Sequence, residues 1–209
     1  YDPEKKVALI VDEWGNWFDV EPGTNPGFLF QQNTLRDALV AGINLNIFNN
    51  HCSRVQMANI AQMVNVLQAV LFTEGSKMVK TPTYHVFKMY AVHQDAQLLE
   101  TDVENYLYSN GNEAIPQLSV SSSMDAEGKI HVTICNLDPN KSADIKLQLE
   151  GAKASKVTGT IITADKMNAR NTFEAPEEVT EKVFEDAAVE DDAVTAVIPA
   201  KSVVLLEIA

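Results

Sequence analysis

Between residues 7 and 18 the chain passes from five consecutive apolar side chains to two acids, Asp12 and Glu13, and then to Trp14, Gly15, Asn16, Trp17 and Phe18. A short, continuous apolar run fits a strand buried on both faces, as in a parallel sheet covered by helices. Where such a strand ends, its side chains escape the packing and line an open rim. In barrels and doubly wound sheets that carboxyl-end rim is where active sites sit. Glu13 is therefore a candidate catalytic carboxylate, with Trp14 and Trp17 beside it as candidate stacking surfaces. Quieter roles compete with these: acids at strand ends also cap helices or pair with basic neighbours, and tryptophans also fill cores. Asp12 alternates to the opposite side of the strand from Glu13, where a structural hydrogen-bonding role is expected.

Several elements must hold these residues in place. Residues 21–27 (EPGTNPG) form a turn-rich loop, placed to lie over the strand's carboxyl end. Leu35, Leu39, Ile43 and Ile47 recur at every fourth position and predict a helix over 34–49, with Asn33 or Thr34 as its cap and Asp37 at its positive end. Residues 55–66 read as further helix, 67–73 as a second buried strand, and 82–94 as a helix with Val86, Met89, Tyr90 and His93 on one face. Strand, helix, strand, helix makes two β/α units, whereas a closed eight-stranded barrel takes ~250 residues. After about residue 95 short alternating runs appear at 117–122, 129–135, 144–150, 156–163, 193–198 and 203–208, separated by polar turns. That spacing predicts an antiparallel β-sandwich. The acidic tract 177–192 reads as a solvated face or loop.

Residues 11–18 (VDEWGNWF) resemble the nucleophile-bearing segment of family-51 α-L-arabinofuranosidases. The resemblance continues through residues 37–41 (DALVA), 45–48 (LNIF), 57–62 (MANIAQ), 64–68 (VNVLQ), 81–87 (TPTYHVF) and 171–176 (NTFEAP), in the family's order. It implies the last two β/α units of an incomplete TIM barrel over residues 1–96 and a jelly-roll-like antiparallel β-sandwich over 97–209. It also implies a retaining glycoside hydrolase with Glu13 as nucleophile and Trp17 as a wall of the sugar cleft; Trp14 stays open between cleft wall and core. The partner so implied is an arabinose-containing oligosaccharide or polysaccharide, arabinan or arabinoxylan, losing its terminal non-reducing groups. Retaining enzymes need a second carboxylate ~5–5.5 Å from the first. In the family it is a Glu preceded by Asn on an earlier barrel strand. Asn112 and Glu113 show the same pair, but in an apparent sandwich turn, and are set aside. The chain, beginning Tyr1-Asp2-Pro3, is expected to be the back portion of a longer protein and inactive by itself. Some members place a sugar-touching Gln just before the residue matching Thr81; here Lys80 stands there, so that contact does not carry over.

A different class of reading is a carbohydrate-binding or structural sandwich with no catalytic role. Only Phe173 and Phe184 supply aromatics after residue 116, a poor platform for sugars. The 209 residues, 45% hydrophobic and 22% charged, suffice for a substantial core. A net charge of −13 argues against nucleic acid as a partner, since phosphate binding needs clustered cations. No apolar run is long enough to span a membrane. Cys52 and Cys135 look unpaired and leave the compartment open. His51, Cys52 and His85 lack metal-ligand spacing, and neither a P-loop nor a dinucleotide fingerprint is present, so no metal or cofactor is expected. Open sheet edges on the two β/α units favour self-association, giving a possible homo-oligomer.

Overall fold

The computed structural model describes residues 2–209. Strand β1 (Leu9–Trp14) pairs in parallel with β2 (Val55–Ile60), and helix α1 (Leu35–Asn50) makes the crossover between them. Helix α1 starts where the sequence predicts. The Asp37 carboxylate accepts the backbone N–H of Thr34 at 2.7 Å, closing a capping box. Leu35 and Leu39 are buried, but Ile47 is 46% exposed. Four-residue steps advance 400° around a helix of 3.6 residues per turn, so three steps carry a side chain about a third of a turn off the buried face.

Three expectations for this half are corrected. Residues 55–60 are strand, not helix. Met, Ala and Gln favour helix in isolation, but alignment against β1, with Leu9 opposite Val55 and Val11 opposite Ala58, overrides that preference. Residues 67–73 are not a buried parallel strand; β3 (Leu71–Glu74) turns back on β4 (Lys77–Lys80) as an antiparallel hairpin, closed by Gly75 at φ 58°. Helix α2 (Pro82–Tyr90) follows, capped by Thr81 and carrying Val86, Met89 and Tyr90 on its buried side. Nor is β1 buried on both faces. Val11 and Trp14 pack toward the helices, while Leu9 and Ile10 are each 48% exposed.

The remainder is mostly β-structure. A six-stranded antiparallel sheet runs in the order β12 (Lys182–Phe184), β11 (Val157–Ile162), β15 (Ser202–Ile208), β9 (Ile130–Asn136), β8 (Leu118–Met124), β5 (Gln97–Leu99). A three-stranded sheet, β10 (Ala143–Leu147), β14 (Ala193–Ile198) and β13 (Ala187–Glu190), covers one of its faces. A separate hairpin of β6 (Leu107–Asn110) and β7 (Glu113–Pro116) stands outside both. The acidic tract 177–192 thus contains two strands, because Phe184 and Val189 turn inward between outward acids. Glu113 opens β7 rather than sitting in a turn.

Period-two alternation explains how one sheet serves two cores. Val204, Leu206 and Ile208 of β15 point into the sandwich with Val132 and Ile134, whereas Val203 and Leu205 point the other way, joining Trp14, Leu35, Val86 and Cys135. Each fully buried side chain of this size contributes ~1.5–3 kcal/mol.

Between helices and sheet lies a polar seam. The Asn46 carbonyl oxygen accepts from the hydroxyls of Tyr90, Ser121 and Thr133 at 2.9, 3.0 and 2.8 Å. Because Thr133 donates there, it accepts from His93 Nε2–H at 3.0 Å, and His93 Nδ1 then accepts from Ser123 Oγ at 2.7 Å. Burial, with His131 nearby, lowers the His93 pKa to about 4, so the ring is neutral. Glu181 bonds both His85 and Lys88, tying the segment before β12 to α2.

Candidate functional site

Glu13 stands at the carboxyl end of β1, where the register with β2 breaks between Val11 and Trp14. Its carboxylate is exposed, and Gln62 Nε2 donates to Oε1 at 3.4 Å. It lines a hollow of about 120 Å³ with the other residues of 13–17, Ala61 and Leu67. Small-molecule sites enclose ~300 Å³ or more, so this hollow is smaller than a complete sugar pocket. Among the described residues that line it, Glu13 is the only carboxylate. A larger depression of about 360 Å³, lined by Thr163, Asp165, Lys166, Glu178 and Lys182 among others, has no aromatic wall and lies away from this rim.

The two tryptophans part company. Trp17 is 67% exposed and lines the hollow. Trp14 is buried; it stacks on Phe87 at 6.0 Å and meets Phe48 edge-on at 5.4 Å, so its indole belongs to the helix-side core. Asp12 is exposed, and its expected structural hydrogen bond is not seen among the described residues. Arg36 lies over the Phe18 ring at 3.9 Å, covering the outer side of the segment.

What holds residues 15–18 is a set of buried side chains whose part in bracing this segment the sequence reading did not assign. Gln68, fully buried, accepts the Asn16 N–H and donates to the Asp37 carbonyl, both at 2.8 Å. Asn16 Nδ2 donates to Asp37 Oδ1 at 2.7 Å. Gln31 accepts the Phe18 N–H at 2.8 Å and donates to the Asn16 carbonyl at 3.1 Å. Asn33 and Thr83 continue the network below, linked at 2.9 Å. A signal was present: Gln68 lies in an apolar run, 67–71, where a buried amide requires partners. Gly15, at φ 141°, passes close by, and an added Cβ would sit 3.3 Å from the Ala61 carbonyl oxygen and Gln68.

Among the described residues no group of three or more His, Cys, Asp or Glu side chains converges to hold a metal ion. Among the described residues no helix is long and apolar enough to cross a membrane. Glu113, on the β6–β7 hairpin, does not line the hollow.

Comparison with known proteins adds to this geometry. The sequence model of the α-L-arabinofuranosidase C-terminal domain matches residues 12–202. The chain is 45% identical, over its full length, to an intracellular exo-α-L-arabinofuranosidase of Bacteroides ovatus, of which it covers 41%. A crystal structure of the GH51 arabinofuranosidase from Xanthomonas axonopodis pv. citri superposes with a TM-score of 0.98 at 47% identity, covering 100% of this chain and 42% of that one. A family 51 α-L-arabinofuranosidase from Bifidobacterium longum gives a TM-score of 0.83 at 26% identity over 97% of this chain and 42% of that one. The chain thus spans about two fifths of the length of the relatives it matches.

Proposed function

Since the chain belongs to the α-L-arabinofuranosidase C-terminal domain family of glycoside hydrolase family 51, we propose that it carries the nucleophile half of a retaining exo-acting arabinofuranosidase site, with Glu13 as the nucleophile. The observation that carries this reading is the Glu13 carboxylate at a parallel strand's carboxyl end, in a hollow walled by the exposed Trp17. The pair β1 and β2 with α1 and α2 is read as the last two β/α units of a barrel, residues 1–96. The sandwich, 97–209, is their structural support, since Val203 and Leu205 share a core with Trp14.

In the reaction, a Glu13 oxygen forms a bond to the anomeric carbon as the glycosidic C–O bond breaks and the leaving oxygen takes a proton from a second carboxylic acid. The carboxylate so formed then takes a proton from water, whose oxygen bonds the anomeric carbon as the bond to Glu13 breaks, returning the sugar with its configuration retained. Among the described residues lining the hollow Glu13 is the one carboxylate, so this reading takes the second carboxylate from outside the chain and expects the 209 residues by themselves not to turn over. Trp17 offers its face to the apolar side of the furanose, and Trp14 fixes the strand end from beneath. The substrates are terminal arabinofuranosyl groups of arabinan or arabinoxylan chains.

An aryl α-L-arabinofuranoside, hydrolysed by the enzyme containing this chain, tests the reading. Glu13→Gln should cost on the order of 10⁴-fold or more in kcat. The anomer released first, followed by NMR, should match that of the substrate. A Glu13→Gln enzyme working at the parent's rate would end the proposal.

A further inference from the structure

Trp17 lies beyond the last ladder residue of β1, where no strand pairs with it. Its backbone is nonetheless bracketed. Gln31 accepts the N–H of Phe18 at 2.8 Å and donates to the carbonyl of Asn16 at 3.1 Å, one bond on each side of residue 17. In a parallel ladder, one residue of the neighbouring strand does the same: its carbonyl takes the N–H after the facing residue, and its N–H reaches the carbonyl before it.

We propose that the buried amide of Gln31 acts as a one-residue strand, a positioning residue that fixes Trp17 over the site through the backbone on either side of it. The inference rests on the sugar-site reading of Glu13 and Trp17 given above. Gln31 does not line the hollow and has no contact with substrate to offer; it is 2% exposed. Its chemistry suits the task, because an amide carries donor and acceptor together, whereas an ionised carboxylate only accepts and a thioether does neither usefully. Gln68 anchors the same arc from the other side by accepting the Asn16 N–H, so Asn16 is held at both its polar backbone groups. The brace extends the sheet's hydrogen bonding past the point where a real neighbour would cover Trp17. The indole stays exposed while its backbone stays fixed, which a stacking wall needs.

A double-variant cycle in the enzyme containing this chain tests it, with kcat and KM on an aryl α-L-arabinofuranoside. Gln31→Met, nearly isosteric but without the amide, should lower kcat/KM about 10- to 100-fold, the loss that follows an ångström-scale misplacement. In a Trp17→Ala background the same change should cost no more than about threefold, because the group it positions is gone. Losses that multiply at full strength, or a Gln31→Met enzyme with parental kinetics, overturn the inference. Should Gln31→Met fail to fold, Gln31→Glu takes its place in the cycle, keeping the acceptor for Phe18 and losing the donor to Asn16. Glu13→Gln separates the two levels. If that enzyme stays active, the sugar-site reading fails. If it is inactive while the Gln31 and Trp17 losses multiply, only the positioning role fails.

Discussion

Acid should loosen the seam between helices and sheet through one ring, that of His93. In the folded chain the ring is neutral, wedged between Ser123 and Thr133 and facing the Tyr90 ring and His131, with Asp125 bonded to His131 on the far side. Its pKa falls from 6.5 to about 4. The unfolded chain therefore takes up a proton as pH drops through 6.5, while the folded chain resists until about 4. Stability is full above the unfolded value, declines across this window, and levels off below it. At 1.36 kcal/mol per unit, the native state loses on the order of 3 kcal/mol relative to a chain lacking the group. His93→Gln supplies that comparison, since an amide also donates and accepts but does not titrate. Urea unfolding of both proteins between pH 7 and 4 should show the parent losing about 3 kcal/mol more than the variant. Carboxylates such as Asp125 titrate in both and cancel. Parallel curves would refute the reasoning.

Other expectations follow from packing and exposure. At Gly42 an added Cβ would lie 2.5 Å from Cys135 Sγ, so Gly42→Ala should overpack the seam by ~1–3 kcal/mol. The ~1 kcal/mol helix-propensity gain offsets this in part, and a melting curve should show a net loss that shrinks when Cys135→Ala is added. Ellman's reagent should titrate the exposed Cys52 in the native chain and Cys135 only in denaturant, since burial pushes the Cys135 thiol up to about 12. The isolated chain should self-associate through the open β1–β2 pair. Light scattering should then show growth with concentration, abolished by Ile10→Lys with Met57→Lys, two half-exposed residues opposite each other in register.

The parts legible in the sequence were those whose signal is local. The sandwich strands β8, β9, β11, β14 and β15 fall within a residue or two of the alternating runs, and α1 begins at its cap. Strand β2 was illegible because its identity comes from β1, some 45 residues earlier, rather than from its own Met, Ala and Gln. The inward turns of Phe184 and Val189 were hidden by the acids around them. The polar seam joins Asn46 to Ser121 and Thr133 across 75 and 87 positions, a separation that no spacing rule reaches. Glu13 and Trp17 stand in the hollow where the sequence places them, at and just past the end of β1, and their roles there belong to the proposal. Gln31 was not legible, because its role depends on two peptide groups it meets only after folding.

Strand β15 bears on how chimeras of such chains can be made. Grafting another relative's sandwich after residue 96 would import a new outer face for Trp14, Leu35 and Val86 to settle on, because Val203, Leu205 and Ile162 come with the graft. A successful transplant must therefore match both surfaces of the transferred sheet, and the seam runs along a shared wall instead of the linker where the chain changes character.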